Sequence, residues 1–185
     1  MKRYTAVELE MFLKTIDGFL TKEVEVIIIG GTAAALAYKV SKATQDIDTW
    51  NSTAGLTKAH QQAKEETGLN IPLGQVPVGD APMDFEDRLV AYKPKVFKKL
   101  KVKVPEVIDL MLMKTLRGYE HDMEAIEEMA KNEKVKYEDV VKRYTEELGA
   151  AIGDKRKLDI NFLAMIERCF GTKSVAKAKI EIGFK

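Results

Sequence analysis

The chain has 185 residues, of which 45% are apolar and 32% charged, and its formal net charge is +1. That length supports one domain, or one domain with a helical appendage, and buries enough surface to fold without staples. The near-neutral charge argues against a general polyanion binder. The single cysteine, Cys169, excludes an internal disulfide, and with only two histidines the usual zinc sets are excluded too. No apolar run approaches the roughly 18 residues of a membrane span. No secretory signal opens the sequence, so the expected location is the cytoplasm, with no membrane partner.

In chain order, Val7, Met11, Phe12, Ile16 and Phe19 recur at helical spacing and predict a first helix over residues 6–19. Glu23 to Ile29 is β-branched and apolar and predicts a buried strand ending at Gly30-Gly31. An alanine-rich helix follows, with Thr32 as its expected cap. Thr44 to Asn51 alternates polar and apolar, as a strand with one buried face does. A helix capped by Ser52 or Thr53 runs to about Thr67 and stops at Gly68. Prolines and glycines then break the chain. Short strands are expected around Ile71 to Val78, and a turn of helix near Phe85 to Leu89.

Leu100 to Val104 alternates and predicts another strand. Pro105 at position N1 and Gly118 past the end bracket a helix. Further helices are expected at about 122–131, 137–151 and 158–170. The tail from Lys173 alternates weakly, as a closing edge strand or a loose end would. The fold class is thus α+β: a small mixed sheet flanked by helices, then a helical C-terminal region. The expected division is a core over residues 1–104 and a helical region over 105–185 packed on it by short connections.

The informative stretch is GGTAAALAYKVSKATQDIDTW, Gly30 to Trp50. A strand running through two glycines into a helix N-terminus lets the backbone approach a phosphate closely. Asp46 and Asp48 stand at i and i+2 of the next strand and so share one face, with Ile47 turned to the core. Two like charges side by side call for a cation, and oxygen ligands of this kind suit Mg²⁺ completed by substrate phosphates. Together these parts are equipment for metal-assisted phosphoryl or nucleotidyl transfer.

This stretch resembles the nucleotidyltransferase superfamily, in particular small AbiEii-toxin-like members with Gly-Gly-(Ser/Thr)-Ala, a helix, and Thr-x-Asp-(Ile)-Asp. Gly30, Gly31, Thr32, Thr44, Asp46 and Asp48 match position by position. VPEVIDLMLMKTLRGYEHDMEAI is similar to a second block of that group and supplies Lys114, Arg117, Gly118 and Asp122. The segment FEDRLV, Phe85 to Val90, resembles a linking element. The resemblance implies a nucleotidyltransferase-like fold and transfer of an NMP group from an NTP to an RNA (tRNA) or protein acceptor. Asp46 and Asp48 would bind Mg²⁺ or Mn²⁺. Gly30, Gly31, Thr32 and Thr44 would cradle the nucleotide, with Lys114 and Arg117 on its phosphates. Lys114 and Asp122 would complete a catalytic set with the two aspartates. It further implies a toxin with a cognate antitoxin.

The chain departs from this pattern at two places. Ala125 stands where relatives carry a second aspartate. A third carboxylate has no assigned position, although Asp80, Asp84, Glu86 and Asp87 are candidates. Without one, the alternative is a catalytically degenerate module that binds nucleotide or a partner.

Lys114 also lies in line with Val107, Leu110 and Met111, and Asp122 with Ile126 and Met129, so both charges face apolar stripes and need partners. A nucleotide phosphate or Asp46, Asp48 or Asp122 would serve Lys114. A local Lys114–Asp122 or Arg117–Asp122 ion pair, or a lysine reaching solvent, would serve equally. Six lysines between Lys93 and Lys103, interleaved with Tyr92 and Phe97, fit either an RNA contact or a strand edge protected by charge. Trp50 fits a base-stacking ring or a core ring. His121 fits a general base or a surface residue at a helix start.

Overall fold

A computed structural model describes residues 2–76, 81–93, 95–148 and 154–184. Residue contacts divide the chain into two compact units, Met1–Val78 with Arg88–Pro105 and Gly79–Asp87 with Glu106–Lys185.

In the first unit, helix α1 (Ala6–Phe19) begins where Thr5 and Glu8 close a reciprocal cap. The Thr5 hydroxyl accepts from the Glu8 N–H, and the Glu8 carboxylate accepts from the Thr5 N–H. Leu9, Phe12, Leu13 and Ile16 are fully buried. Asp17 is buried beside them, and its carboxylate accepts from the backbone N–H groups of Lys98, Lys99 and Leu100 at 2.6–2.9 Å. Burial alone would raise its pKa, but the three donors outweigh that and hold it below the ordinary value.

Strand β1 (Val24–Ile27) leads into helix α2 (Gly30–Ala37), which returns through a loop to strand β2 (Ile47–Thr49). A short 3₁₀ turn precedes helix α3 (Thr57–Thr67), which Gly68 closes in the left-handed conformation. Of the expected Ile71–Val78 segment, strand β3 covers Leu73–Gln75, and residues 77 and 78 lie outside the described residues. A 3₁₀ turn covers Phe85–Arg88. Strands β4 (Val90–Ala91) and β5 (Leu100–Val104) follow. Strand order is β1-β5-β4 in one sheet and β2-β3 in another. β1 and β5 are parallel, with Val26 opposite Val102, and β4 is antiparallel to β5. The antiparallel bridge Ile28–Thr49 stitches the end of β1 to β2.

The second unit is helical: α4 (Val107–Arg117), α5 (Glu120–Asn132), α6 (Tyr137–Arg143), α7 (Lys155–Phe170) and α8 (Thr172–Glu181). The α+β class is therefore as the sequence suggests, a small mixed sheet with flanking helices and a helical C-terminal region.

Five local expectations are corrected. Pro105 precedes the cap Glu106 rather than opening α4, because its carbonyl closes the end of β5 by accepting from the Tyr38 hydroxyl at 2.5 Å. α5 starts two residues before Asp122 and α7 three before Leu158, where the Asp154 side chain caps it. α6 ends at Arg143 and passes into a π turn over Tyr144–Leu148; residues 149–151 lie outside the described residues. The tail is a helix, not a strand. Ser174, Val175, Ala178 and Ile182 turn inward at 3/4 spacing, and the apparent alternation leaves Ile180 83% exposed.

Candidate functional site

The turn after β1 is built from contacts on which three successive residues depend. The Ile29 N–H donates to the Asp48 carbonyl at 2.9 Å, and the Trp50 N–H donates to the Ile27 carbonyl at 2.8 Å, so β1 and β2 meet end on end. Gly30 takes φ +65°, which L side chains rarely adopt, and turns the chain from strand to helix in one step. A Cβ there would stand 3.0 Å from Asp48 Oδ2. A Cβ on Gly31 would stand 2.7 Å from Thr44 Oγ1 and 3.1 Å from Thr44 Cβ. Thr32 is buried and donates its hydroxyl to the Asp46 carbonyl at 2.6 Å.

Gly30, Gly31 and Thr32 thus rest on Asp48, Thr44 and Asp46 respectively, and all six residues of the first motif come together. Thr32 is not the cap of α2. Ile29 holds that position without a side-chain bond, because Gly30 starts the helix two residues earlier than the pattern suggests. Thr44 is itself fixed by paired backbone bonds to Tyr4. Along β2, Ile47 and Thr49 are fully buried while Asp46, Asp48 and Trp50 are half-buried, so the two aspartates share one side. The leading N–H groups of an α-helix have no intrahelical partner and favour an anion, which here means the N–H groups at the start of α2.

The second motif forms its own cluster within the helical unit. Lys114, 4% exposed, donates to Asp122 Oδ1 at 3.0 Å. Arg117, half exposed, donates to the same oxygen at 2.8 Å. Asp122 is fully buried and its Oδ2 has no hydrogen bond among the described residues. Both local ion pairs weighed from the sequence are therefore formed, on one carboxylate.

Other candidates resolve into structure. Tyr92 and Phe97 are buried and pack on each other 6.3 Å apart, which removes them as base-stacking rings. Lys93, Lys101 and Lys103 pair with Glu10, Glu23 and Glu25. His60 packs edge-on against Phe12 with Nε2 2.8 Å from the Ile71 carbonyl, and burial lowers its pKa. Burial pushes the Cys169 thiol up to about 12. Asp84, Glu86 and Asp87 are exposed around the 3₁₀ turn, and Asp80 lies outside the described residues. Among the described residues no group of three or more His, Cys, Asp or Glu is arranged to hold a metal ion. Nor is any helix among them long and apolar enough to cross a membrane. The anchoring role of Asp17 was not foreseen; its only sequence signal is an acid on an otherwise apolar helix face.

Residues 7–169 match the profile of a family described as "Nucleotidyltransferase of unknown function (DUF6036)". No curated protein matches the chain. No solved structure matches it either.

Proposed function

The chain belongs to this nucleotidyltransferase family, and from that premise we propose that it moves an NMP group from an NTP to a hydroxyl on RNA (tRNA) or protein. The proposal extends to an AbiEii-like toxin held by a cognate antitoxin, a step that rests on family likeness. The observation that carries the transferase reading is the threefold seating of Gly30, Gly31 and Thr32 on Asp48, Thr44 and Asp46. It sets Asp48 Oδ2 against Gly30, with Asp46 two residues before it in the chain, at the start of a helix whose leading N–H groups suit phosphate.

Asp46 and Asp48 fit Mg²⁺ or Mn²⁺, because hard oxygen ligands in ones and twos, completed by phosphates and water, are how such ions are usually held. When bound, the ion supplies Lewis-acid and templating chemistry. The protein's own part is positioning. Gly30 and Gly31 hold the backbone within reach of phosphate, and Thr32 contributes its N–H, since its hydroxyl is committed to Asp46. In this reading Thr44 maintains the turn. Lys114 and Arg117 belong to the helical unit, where both are engaged with Asp122.

The test is calorimetric titration with each NTP in Mg²⁺, alongside transfer from α-³²P-labelled NTPs to cellular RNA and protein. Asp46→Asn with Asp48→Asn is expected to abolish Mg²⁺-dependent NTP binding and transfer while leaving the melting profile intact. Unchanged Mg²⁺-dependent binding in that double variant would remove the metal-site reading. The lack of a three-acid group among the described residues favours a second reading, a nucleotide-binding module without turnover. NTP binding with no transferred label would select it.

A further inference from the structure

At the junction of α4 and α5, two aromatic side chains stand in solvent and yet are ordered against each other. Tyr119 is 60% exposed and the His121 side chain 59%. Their rings stack with centroids 5.5 Å apart and planes 18° apart. Neither ring contributes to a core at that exposure, so burial does not account for their arrangement. Beside them, the half-exposed Arg117 guanidinium is held by one nitrogen, Nη2, on Asp122 Oδ1. A guanidinium tethered on one side is oriented and keeps further donors for a ligand. Asp122 adds an independent sign of incompleteness. Its buried Oδ2 has no hydrogen bond, and His121 Nε2 stops 3.8 Å away, too far to supply one.

We propose that Tyr119, His121 and Arg117 form a binding site for one unpaired nucleotide, with the base on the aromatic pair and the phosphate on Arg117. Aromatic rings flanked by a cation are the chemistry that takes unstacked bases. A base closing over the pair also lets the imidazole settle towards Asp122 Oδ2 and supply the missing hydrogen bond. The nucleotide is free or stands at the end of a single strand. The site deepens the nucleotidyltransferase reading, but binding there needs no transfer step and no ion on Asp46 and Asp48.

The experiment measures binding of the full chain to the four nucleoside monophosphates and to single-stranded RNA pentamers, without divalent cation, by calorimetry. Proton NMR of the His121 ring serves as a local probe. Wild type is expected to bind and to shift the His121 signals. Tyr119→Phe keeps affinity within about twofold, because the ring rather than the hydroxyl stacks. Tyr119→Ala weakens binding about tenfold or more, with unchanged circular dichroism. Equal, Tyr119-dependent binding of monophosphates and pentamers identifies a free nucleotide as the ligand; pentamers alone identify a strand end. No binding by wild type, or binding indifferent to Tyr119→Ala, overturns the proposal. The Asp46/Asp48 double variant separates the two readings: it loses Mg²⁺-dependent NTP binding and keeps the Tyr119-dependent binding seen without divalent cation.

Discussion

The Gly30–Thr32 turn and the Lys114–Asp122 cluster are both assembled from short sequence motifs, but they are held by opposite means. At the turn the contacts are steric and backbone-borne: two residues lack a Cβ because a neighbour occupies its place. The aspartates there stay half-buried. In the helical unit the contacts are ionic: two cations converge on one fully buried carboxylate. A motif kept for geometry tolerates no added atoms, whereas a motif kept for charge tolerates no lost partner. The first kind is set by close approach, and the second by a carboxylate shared between two cations.

The largest expected effect comes from breaking the ionic side. Asp122→Ala leaves Lys114 buried without its carboxylate and should cost about 3–5 kcal/mol in urea unfolding. Lys114→Met should cost distinctly less, because Arg117 still meets Asp122. Equal losses in the two variants would show that Arg117 does not sustain Asp122 once Lys114 is gone.

On the steric side, Gly31→Ala should cost about 1–3 kcal/mol, the usual range for an overpacked site. Thr44→Ala removes the hydroxyl at 2.7 Å but leaves the Cβ at 3.1 Å, so the loss from Gly31→Ala should shrink in that background without vanishing. Fully additive losses in that cycle would refute the steric account.

The smallest effect tests a carboxylate that belongs to neither kind. Asp17 is satisfied by backbone N–H groups, and its pKa is lowered from 3.8. Its stabilising contribution is therefore complete above that ordinary value and fades as the pH falls through the lowered folded-state value. Thermal melts from pH 6 downward should show wild type and Asp17→Asn converging in acid. A constant gap across the range would contradict the assignment.

Much of the fold was legible because local rules and tertiary demands agree. α1 occupies the expected residues 6–19, where the apolar 3/4 spacing and a reciprocal cap coincide. β5 matches because Leu100, Val102 and Val104 alternate with lysines and are the buried members. The tail misled because Ile180 and Ile182 stand two apart, although the surrounding lysines and alanines favour a helix. Thr32 misled because a capping side chain was assumed where Gly30 makes the turn by itself. The two glycines before a helix and the paired Asp46 and Asp48 were readable from spacing, whereas Thr44 entered through the family resemblance. The fate of Lys114 was not, since an ammonium aligned with an apolar stripe fits a phosphate and a carboxylate equally well. Tyr119 carried no periodic signal, because an exposed ring leaves no trace in the hydrophobic pattern.

The division of the chain into Met1–Val78 with Arg88–Pro105 and Gly79–Asp87 with Glu106–Lys185 means that the backbone changes unit three times. Neither unit is therefore a continuous stretch of sequence. A cut at residue 105 leaves residues 79–87 of the second unit on the fragment that carries the glycine turn. The helical fragment, expressed by itself, lacks that part of its own unit. Only a chain that carries both units carries either one whole.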